Sequence, residues 1–170
     1  MRIGVALPYA AEPKSSADEV AGWEEAGVDI VWVAEAYGFD AVSIMGYLAA
    51  KTQRMHIGSA ILPIYSRTPA LLAQTAAGID AMSGGRAILG IGASGPQVIE
   101  GWHGVAYDRP LARTREIIEL CRRAWLRETL VHDGIYQLPL PPGQTPPPSE
   151  AGELGPAFNA SWFGQMNVGG

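Results

Sequence analysis

A single cysteine, Cys121, stands in the 170 residues. No intrachain disulfide is possible, and a reducing cytoplasm is the expected location. Cys121 itself reads as a small buried apolar residue on a helix, not as a nucleophile. Basic residues are also scarce. Twelve Lys and Arg stand against 17 Asp and Glu, for a net charge of -5, and only Arg122-Arg123 are adjacent. A phosphate-tracking groove needs clustered cations, so a nucleic-acid partner is not expected. Long apolar runs are missing, and none approaches the ~20 residues that span a bilayer, so no membrane partner is expected either. Met1-Arg2-Ile3-Gly4 enters a strand at once, without a signal-peptide pattern. No His/Cys/Asp cluster has metal-ligand spacing, so no metal is assigned. Neither G-x-S-x-G nor a Ser/His/Asp pattern appears.

What is present is globular. Hydrophobic residues make up 48% and charged residues 17%, enough for a domain with a real core. The chain is organised around Arg86-Ala-Ile-Leu-Gly-Ile-Gly-Ala-Ser-Gly-Pro-Gln-Val-Ile-Glu-Gly101. An apolar run, Ala87 to Ile91, leads into small residues, among them Gly92, Ala93, Ser94 and Gly95. Such residues let a ligand approach exposed backbone N–H groups.

Four strand–helix units are predicted. Arg2 to Leu7 is the first strand, closed by Pro8. Ser16-x-x-Glu19 matches a capping box ahead of Val20, Trp23 and Ala26, and Gly27 suits the position after that helix. Ile30 to Ala34 is a second strand, apolar on both faces as in a buried parallel sheet. Asp40 caps the next helix, which runs towards Lys51. His56 to Ile61 is the third strand, stopped by Pro63. Thr68-Pro69 opens a helix to about Met82, ended by Gly84-Gly85. Ala87 to Ile91 is the fourth strand. Asp108-Arg109-Pro110 opens a helix with Leu111, Ile117, Ile118, Cys121 and Trp125 on its apolar side. Arg115 and Glu119 form an exposed i, i+4 pair on it. Leu130 to Leu138 reads as a β-hairpin turning at Asp133-Gly134. From Pro139 the chain becomes rich in Pro and Gly, and a disordered or extended tail is predicted.

Repeated βα units demand a parallel sheet with right-handed crossovers. An open doubly wound sheet would be complete with four or five strands. A (β/α)8 barrel needs eight, of which this chain would hold the first half. Ligands bind at the C-terminal strand ends in both. Glu35 ends the second strand there, Ser59-Ala60 the third, and the glycine-rich loop the fourth. Tyr65 and Arg67 lie just beyond the third, where Arg67 either holds a phosphate or carboxylate or is a surface cation. His103 lies near the glycine-rich loop, and His56 falls at the opposite end. Gly90, Gly92 and Gly95 match G-x-G-x-x-G literally. The match does not follow the first strand, and Pro96 follows it at once, so Rossmann dinucleotide binding is set aside.

Arg2-Ile-Gly-Val-Ala-Leu-Pro8, Trp32-Val-Ala-Glu-Ala-Tyr-Gly-Phe-Asp40 and Ile57-Gly-Ser-Ala-Ile-Leu-Pro63 carry a resemblance. So do Arg67-Thr-Pro-Ala-Leu-Leu-Ala-Gln74, Asp80-x-Met-Ser-Gly-Gly-Arg86 and Leu89-Gly-Ile-Gly-Ala-Ser-Gly95. In this order the chain resembles the luciferase-like superfamily of flavin- and F420-dependent oxidoreductases over residues 1–143. The resemblance implies a (β/α)8 TIM-barrel type fold, usually dimeric, and hence a homodimer here. Only the first four βα units would be present, followed by the hairpin. Residues 144–170 would then be a disordered or frame-shifted tail.

The resemblance implies coenzyme F420 or FMN at the C-terminal strand ends. Glu35, Ser59, Ala60, Ile61, Gly92, Ser94 and Gly95 become the cofactor-binding candidates. The ring would lie against Ser59-Ala60-Ile61, where F420-dependent members often have a bulge with a non-prolyl cis peptide. The implied chemistry is hydride transfer to or from a small-molecule substrate, or oxygen activation with paired donors if the cofactor is FMN. No catalytic acid or base is assigned. Members acting on glucose 6-phosphate have a His where this chain has Ala36 and an acid where it has Pro96. Two other readings stay open. One is a non-catalytic half-barrel that dimerises. The other is a complete open α/β domain binding a small anion.

Overall fold

Among the described residues, prolines open four of the five helices. The computed structural model describes residues 1–8 and 12–139. Along them run β1 (Gly4–Ala6), α1 (Pro13–Glu25), β2 (Ile30–Val33), α2 (Ala41–Lys51), β3 (His56–Ser59) and β4 (Leu62–Pro63). Then come α3 (Pro69–Ser83), β5 (Ala87–Ile88), β6 (Ile91–Gly92), α4 (Pro96–Ile99), α5 (Pro110–Trp125), β7 (His132–Asp133) and β8 (Gln137–Leu138). Pro13, Pro69, Pro96 and Pro110 each sit in the first turn, where the missing N–H costs nothing and φ is already helical. The expected tail over 144–170 lies outside the described residues.

The start of α1 corrects the capping-box reading. Pro13 begins the helix one turn early, and the Ser16 N–H bonds to the Glu12 carbonyl. Ser16 is therefore buried inside the helix rather than capping it. The other caps match expectation. Asp40 accepts from the Ser43 N–H, Thr68 accepts from the Leu71 N–H, and Gly84 takes the left-handed cap of α3.

β1, β2, β3 and β5 form one parallel sheet in that order. The helices follow the same order: α1 packs on α2, α2 on α3 and α3 on α5. This succession lacks the reversal that defines a doubly wound sheet. The register puts Val5, Val31, Ile57 and Ala87 side by side. Val31 and Ile57 are fully buried with Val20, Leu48, Leu72 and Ile117 of the helices. Each such side chain contributes roughly 1.5–3 kcal/mol. The opposite face carries Ala6, Trp32, Gly58 and Ile88 in register. Gly58 is needed there, because a Cβ would stand 2.3 Å from the Trp32 ring.

Two strands run differently from expectation. The third breaks after Ser59 and resumes as β4, which ends at Pro63 as expected but takes Pro63 into the pairing, opposite Gly92. The fourth breaks at Leu89-Gly90 and resumes as β6. At the shared break the Ser59 hydroxyl donates to the Gly90 carbonyl (2.8 Å) and accepts from the Gly90 N–H (2.9 Å). Gly90 is required by that approach, since a Cβ would lie 2.0 Å from the Ser59 carbonyl oxygen.

The apolar side of α5 is also corrected. Ile117, Leu120 and Cys121 are buried, at i, i+3 and i+4. Leu111 is 78% exposed, because it falls about 120° round the helix from Ile117. Ile118, next along the helix, lies about 100° away and is also exposed. Cys121 is buried as expected, and desolvation pushes its thiol up to about 11. Glu119 pairs with Arg123 (3.8 Å) rather than with Arg115. In the hairpin, Asp133 pairs with Gln137, which moves the turn to Gly134-Ile135-Tyr136. Glu116 of α5 anchors it, accepting from the Tyr136 N–H and facing His132 Nε2 at 3.0 Å. Among the described residues no helix is long and apolar enough to cross a membrane.

Candidate functional site

Irregular backbone gathers at the C-terminal ends of the strands. The Ala60–Ile61 peptide, between β3 and β4, is cis. Ser94, just past β6, has φ 57°, a left-handed conformation uncommon outside glycine. Pairing of Leu62 with Ile91 and of Pro63 with Gly92 sets the two segments side by side. The Ile61 side chain lies over Gly92, 3.2 Å from where a Cβ would be. Ala60 is exposed, and Ile61, Gly92, Ser94 and Gly95 are half-buried. Together they offer a shallow bed of small residues and backbone, suited to a flat ligand.

Ser59 lies beneath this bed. It is 1% exposed, and its hydroxyl is committed to Gly90. Glu35 is held to one side. Both its oxygens accept from the Arg67 guanidinium, Oε1 from Nη1 and Oε2 from Nη2, the latter at 2.8 Å. Oε2 also accepts from the Ala41 N–H at the start of α2 (2.9 Å), a favourable place for an anion. Arg67 reaches Asp40 as well, at 3.1 Å. The Glu35 and Arg67 side chains are each only 10% exposed. The hydrogen bond to Glu35 raises the Arg67 pKa further above its ordinary value. At Asp40 burial pushes the carboxyl up. The bonds from Ser43 and the Arg67 charge outweigh it and hold the carboxyl below its ordinary value. Arg67 thus does hold a carboxylate, as one sequence reading allowed, but that carboxylate is Glu35.

Tyr65 stacks on Tyr107, with ring centroids 5.1 Å apart, and its hydroxyl donates to the Asp108 carbonyl. The Tyr107 hydroxyl donates to the Ser94 carbonyl at 3.2 Å. Tyr107 escaped sequence reasoning altogether, since it sits in an irregular stretch 13 residues from its partner. Exposed aromatics rim the same end. Tyr37 and Trp102 meet edge to face, centroids 6.3 Å apart. His103 Nε2 is buried without a hydrogen-bond partner. His56 begins β3, at the opposite end, as expected. Among the described residues, no group of three His, Cys, Asp or Glu is placed to hold a metal ion. A small apolar cleft lined by Leu7, Val33, Ala34, Phe39 and Ile44 includes none of the predicted residues.

A parallel α/β sheet with its irregular backbone gathered at the C-terminal strand ends is the arrangement of a ligand-binding α/β domain. The chain belongs to the luciferase-like monooxygenase family, whose model matches residues 1–162. A Mycobacterium tuberculosis protein named as a coenzyme F420-dependent oxidoreductase is 44% identical over 144 residues, 82% of this chain and 42% of the relative. The structure of a coenzyme F420-dependent tetrahydromethanopterin reductase from Methanopyrus kandleri superimposes with TM-score 0.69 at 23% identity, covering 78% of this chain and 42% of that one. The oxygenating constituent of 3,6-diketocamphane monooxygenase from Pseudomonas putida, solved with FMN, gives TM-score 0.68 at 23% identity, covering 80% of this chain and 42% of that one. The fold is thus an α/β fold with a parallel sheet, similar in structure to the luciferase-like TIM-barrel enzymes. The chain spans less than half the length of these relatives.

Proposed function

We propose that this chain is the cofactor-bearing first half of a luciferase-like barrel, built from four βα units within residues 1–143. It takes part in hydride transfer between coenzyme F420 and a small-molecule substrate. The observation that carries the reading is the bed itself: exposed Ala60 and half-buried Ile61 beside Gly92, Ser94 and Gly95, at the C-terminal end of a parallel sheet. The 44% identity to a relative named for F420 supports F420 over FMN. FMN is the second reading, supported by the likeness in fold to an FMN complex. Substrates and oxygen would then enter as paired donors.

The bed fits a flat ring system. Gly92 leaves room for Ile61, and no side chain larger than Ser rises from residues 92–95. When bound, the cofactor supplies the hydride chemistry. The chain's own residues bind and orient. Ala60 and Ile61 form the floor, Ser94 and Gly95 offer backbone groups at the edge, and Ser59 supports the floor from below through Gly90. Glu35 fixes the β2–α2 connection against Arg67, so its role is to hold the wall of the site. Glucose 6-phosphate is not the proposed substrate, because Ala36 and Pro96 replace the groups those enzymes use.

On the face bearing Trp32 and Gly58, Ala6 is exposed and Trp32 and Ile88 are only half-buried, and among the described residues β1 and β5 pair on one side only. Both features support a barrel closed by further units, and a homodimer is proposed on the same ground. Titration of the 170-residue chain with F420 and with FMN, followed by fluorescence, tests the function. Saturable binding of F420, tighter than FMN, is expected. Tighter FMN would select the second reading, and binding of neither would overturn both.

A further inference from the structure

We infer that Tyr107 is a positioning residue of the ligand bed, setting the direction of the peptide between Ser94 and Gly95. The inference rests on the reading of that loop as the cofactor bed.

Ser94 holds a backbone conformation that side-chain-bearing residues seldom adopt. Such a conformation persists where the surroundings fix it, and it clusters at ligand sites. Here the fixing group is visible. The Tyr107 hydroxyl donates to the Ser94 carbonyl at 3.2 Å. Across a trans peptide the C=O and the next N–H point in opposite directions. With the Ser94 carbonyl turned to Tyr107, the Gly95 N–H is turned to the other side of the loop. Rotation of this one peptide plane would exchange a donor for an acceptor there. Glycine at position 95 makes the rotation sterically easy, so a restraint is needed.

Tyr107 is itself restrained. Its ring stacks on Tyr65 at 5.1 Å, and its N–H donates to Glu100 Oε1 at 3.0 Å. Its neighbour Asp108 accepts at the carbonyl from the Tyr65 hydroxyl (2.6 Å) and from Arg113 (3.1 Å). The Arg113 guanidinium lies 5.3 Å from the Tyr65 ring centroid. Tyr65 lies two residues past β4. The stack therefore links the Ala60–Ile61 side of the bed to the Ser94–Gly95 side.

The test is Tyr107→Phe, which deletes the hydroxyl and keeps the ring for stacking. Two readouts are taken on the full chain: the Gly95 amide chemical shift without cofactor, which reports the direction of the Ser94–Gly95 peptide, and affinity for F420 and FMN. The expected result is a displaced or exchange-broadened Gly95 amide signal and affinity lower by about three- to tenfold, the loss of one modest hydrogen bond. The thermal midpoint should be nearly unchanged, which separates positioning from a general structural role. Tyr107→Leu removes ring and hydroxyl and should lower affinity at least as far. An unchanged Gly95 amide signal in Tyr107→Phe would overturn the inference. So would a displaced signal with unaltered affinity. If the unsubstituted chain binds neither cofactor, the cofactor reading falls and carries the inference with it.

Discussion

The two ends of the sheet use charge in opposite ways. At the N-terminal end, charged side chains bond to backbone. Arg86 donates to the carbonyls of Ala49, Thr52, Met55 and Ser83. It thereby satisfies acceptors that the end of α2 leaves orphaned. Glu24 accepts from the N–H groups of Gln53, Arg54 and Met55 as the chain enters β3. At the C-terminal end, charged side chains bond mainly to one another, Glu35 to Arg67 and Arg67 to Asp40. The backbone there is left to irregular forms at Ala60–Ile61 and Ser94. One end of the sheet secures the fold. The other carries the proposed ligand bed, the division expected of barrel-type α/β enzymes.

Substitutions can break this contrast. Arg86→Met should be the most damaging, costing about 3 kcal/mol or more in urea unfolding, because several carbonyls lose a charged donor at once. The molecules that remain folded should bind cofactor as before. Arg67→Met leaves the Glu35 carboxylate unpaired and should cost about 3 kcal/mol as well as cofactor affinity. Glu35→Gln together with Arg67→Met should recover roughly half of that stability loss, since no buried charge is then stranded.

Gly90→Ala sharpens the comparison from the junction between the ends. Its Cβ would stand 2.0 Å from the Ser59 carbonyl oxygen. The β3–β5 contact must open, at about 1–3 kcal/mol, and the bed above it should shift. Weaker cofactor binding beyond the stability loss is the expected signature.

The smallest effect concerns pH. Burial pushes the Glu24 carboxyl up, but the bonds from Met55, Arg54 and Gln53 outweigh it and hold the group below its ordinary value of 4.5. Its folded pKa is therefore the lower one. The stabilisation is complete above the ordinary value and is lost as pH falls through the folded value. Glu24→Gln should flatten the decline in stability below about pH 4.5 and leave cofactor binding at neutral pH unchanged.

Much of the fold was legible in local patterns. Asp40, Thr68 and Gly84 bound their helices because a cap is a contact between neighbours in sequence. Val31 and Val33 announced a buried strand by composition. The breaks in the third and fourth strands were not legible as such, because they depend on Ser59 meeting Gly90 across 31 positions. The start of α1 was misread because Ser16 and Glu19 imitate a cap that Pro13 had already made unnecessary. The candidate site was half legible. Its residues were named, but their roles follow from partners far along the chain. Glu35 finds Arg67 at 32 positions and Ser94 finds Tyr107 at 13. No periodicity records such pairs.

The most direct test of the division between the two ends is amide NMR of the full chain during titration with F420. The largest shifts should fall at Ile61, Ser94 and Gly95, with Gln53, Arg54, Met55 and Arg86 unmoved. Shifts centred on the N-terminal end of the sheet would contradict the account.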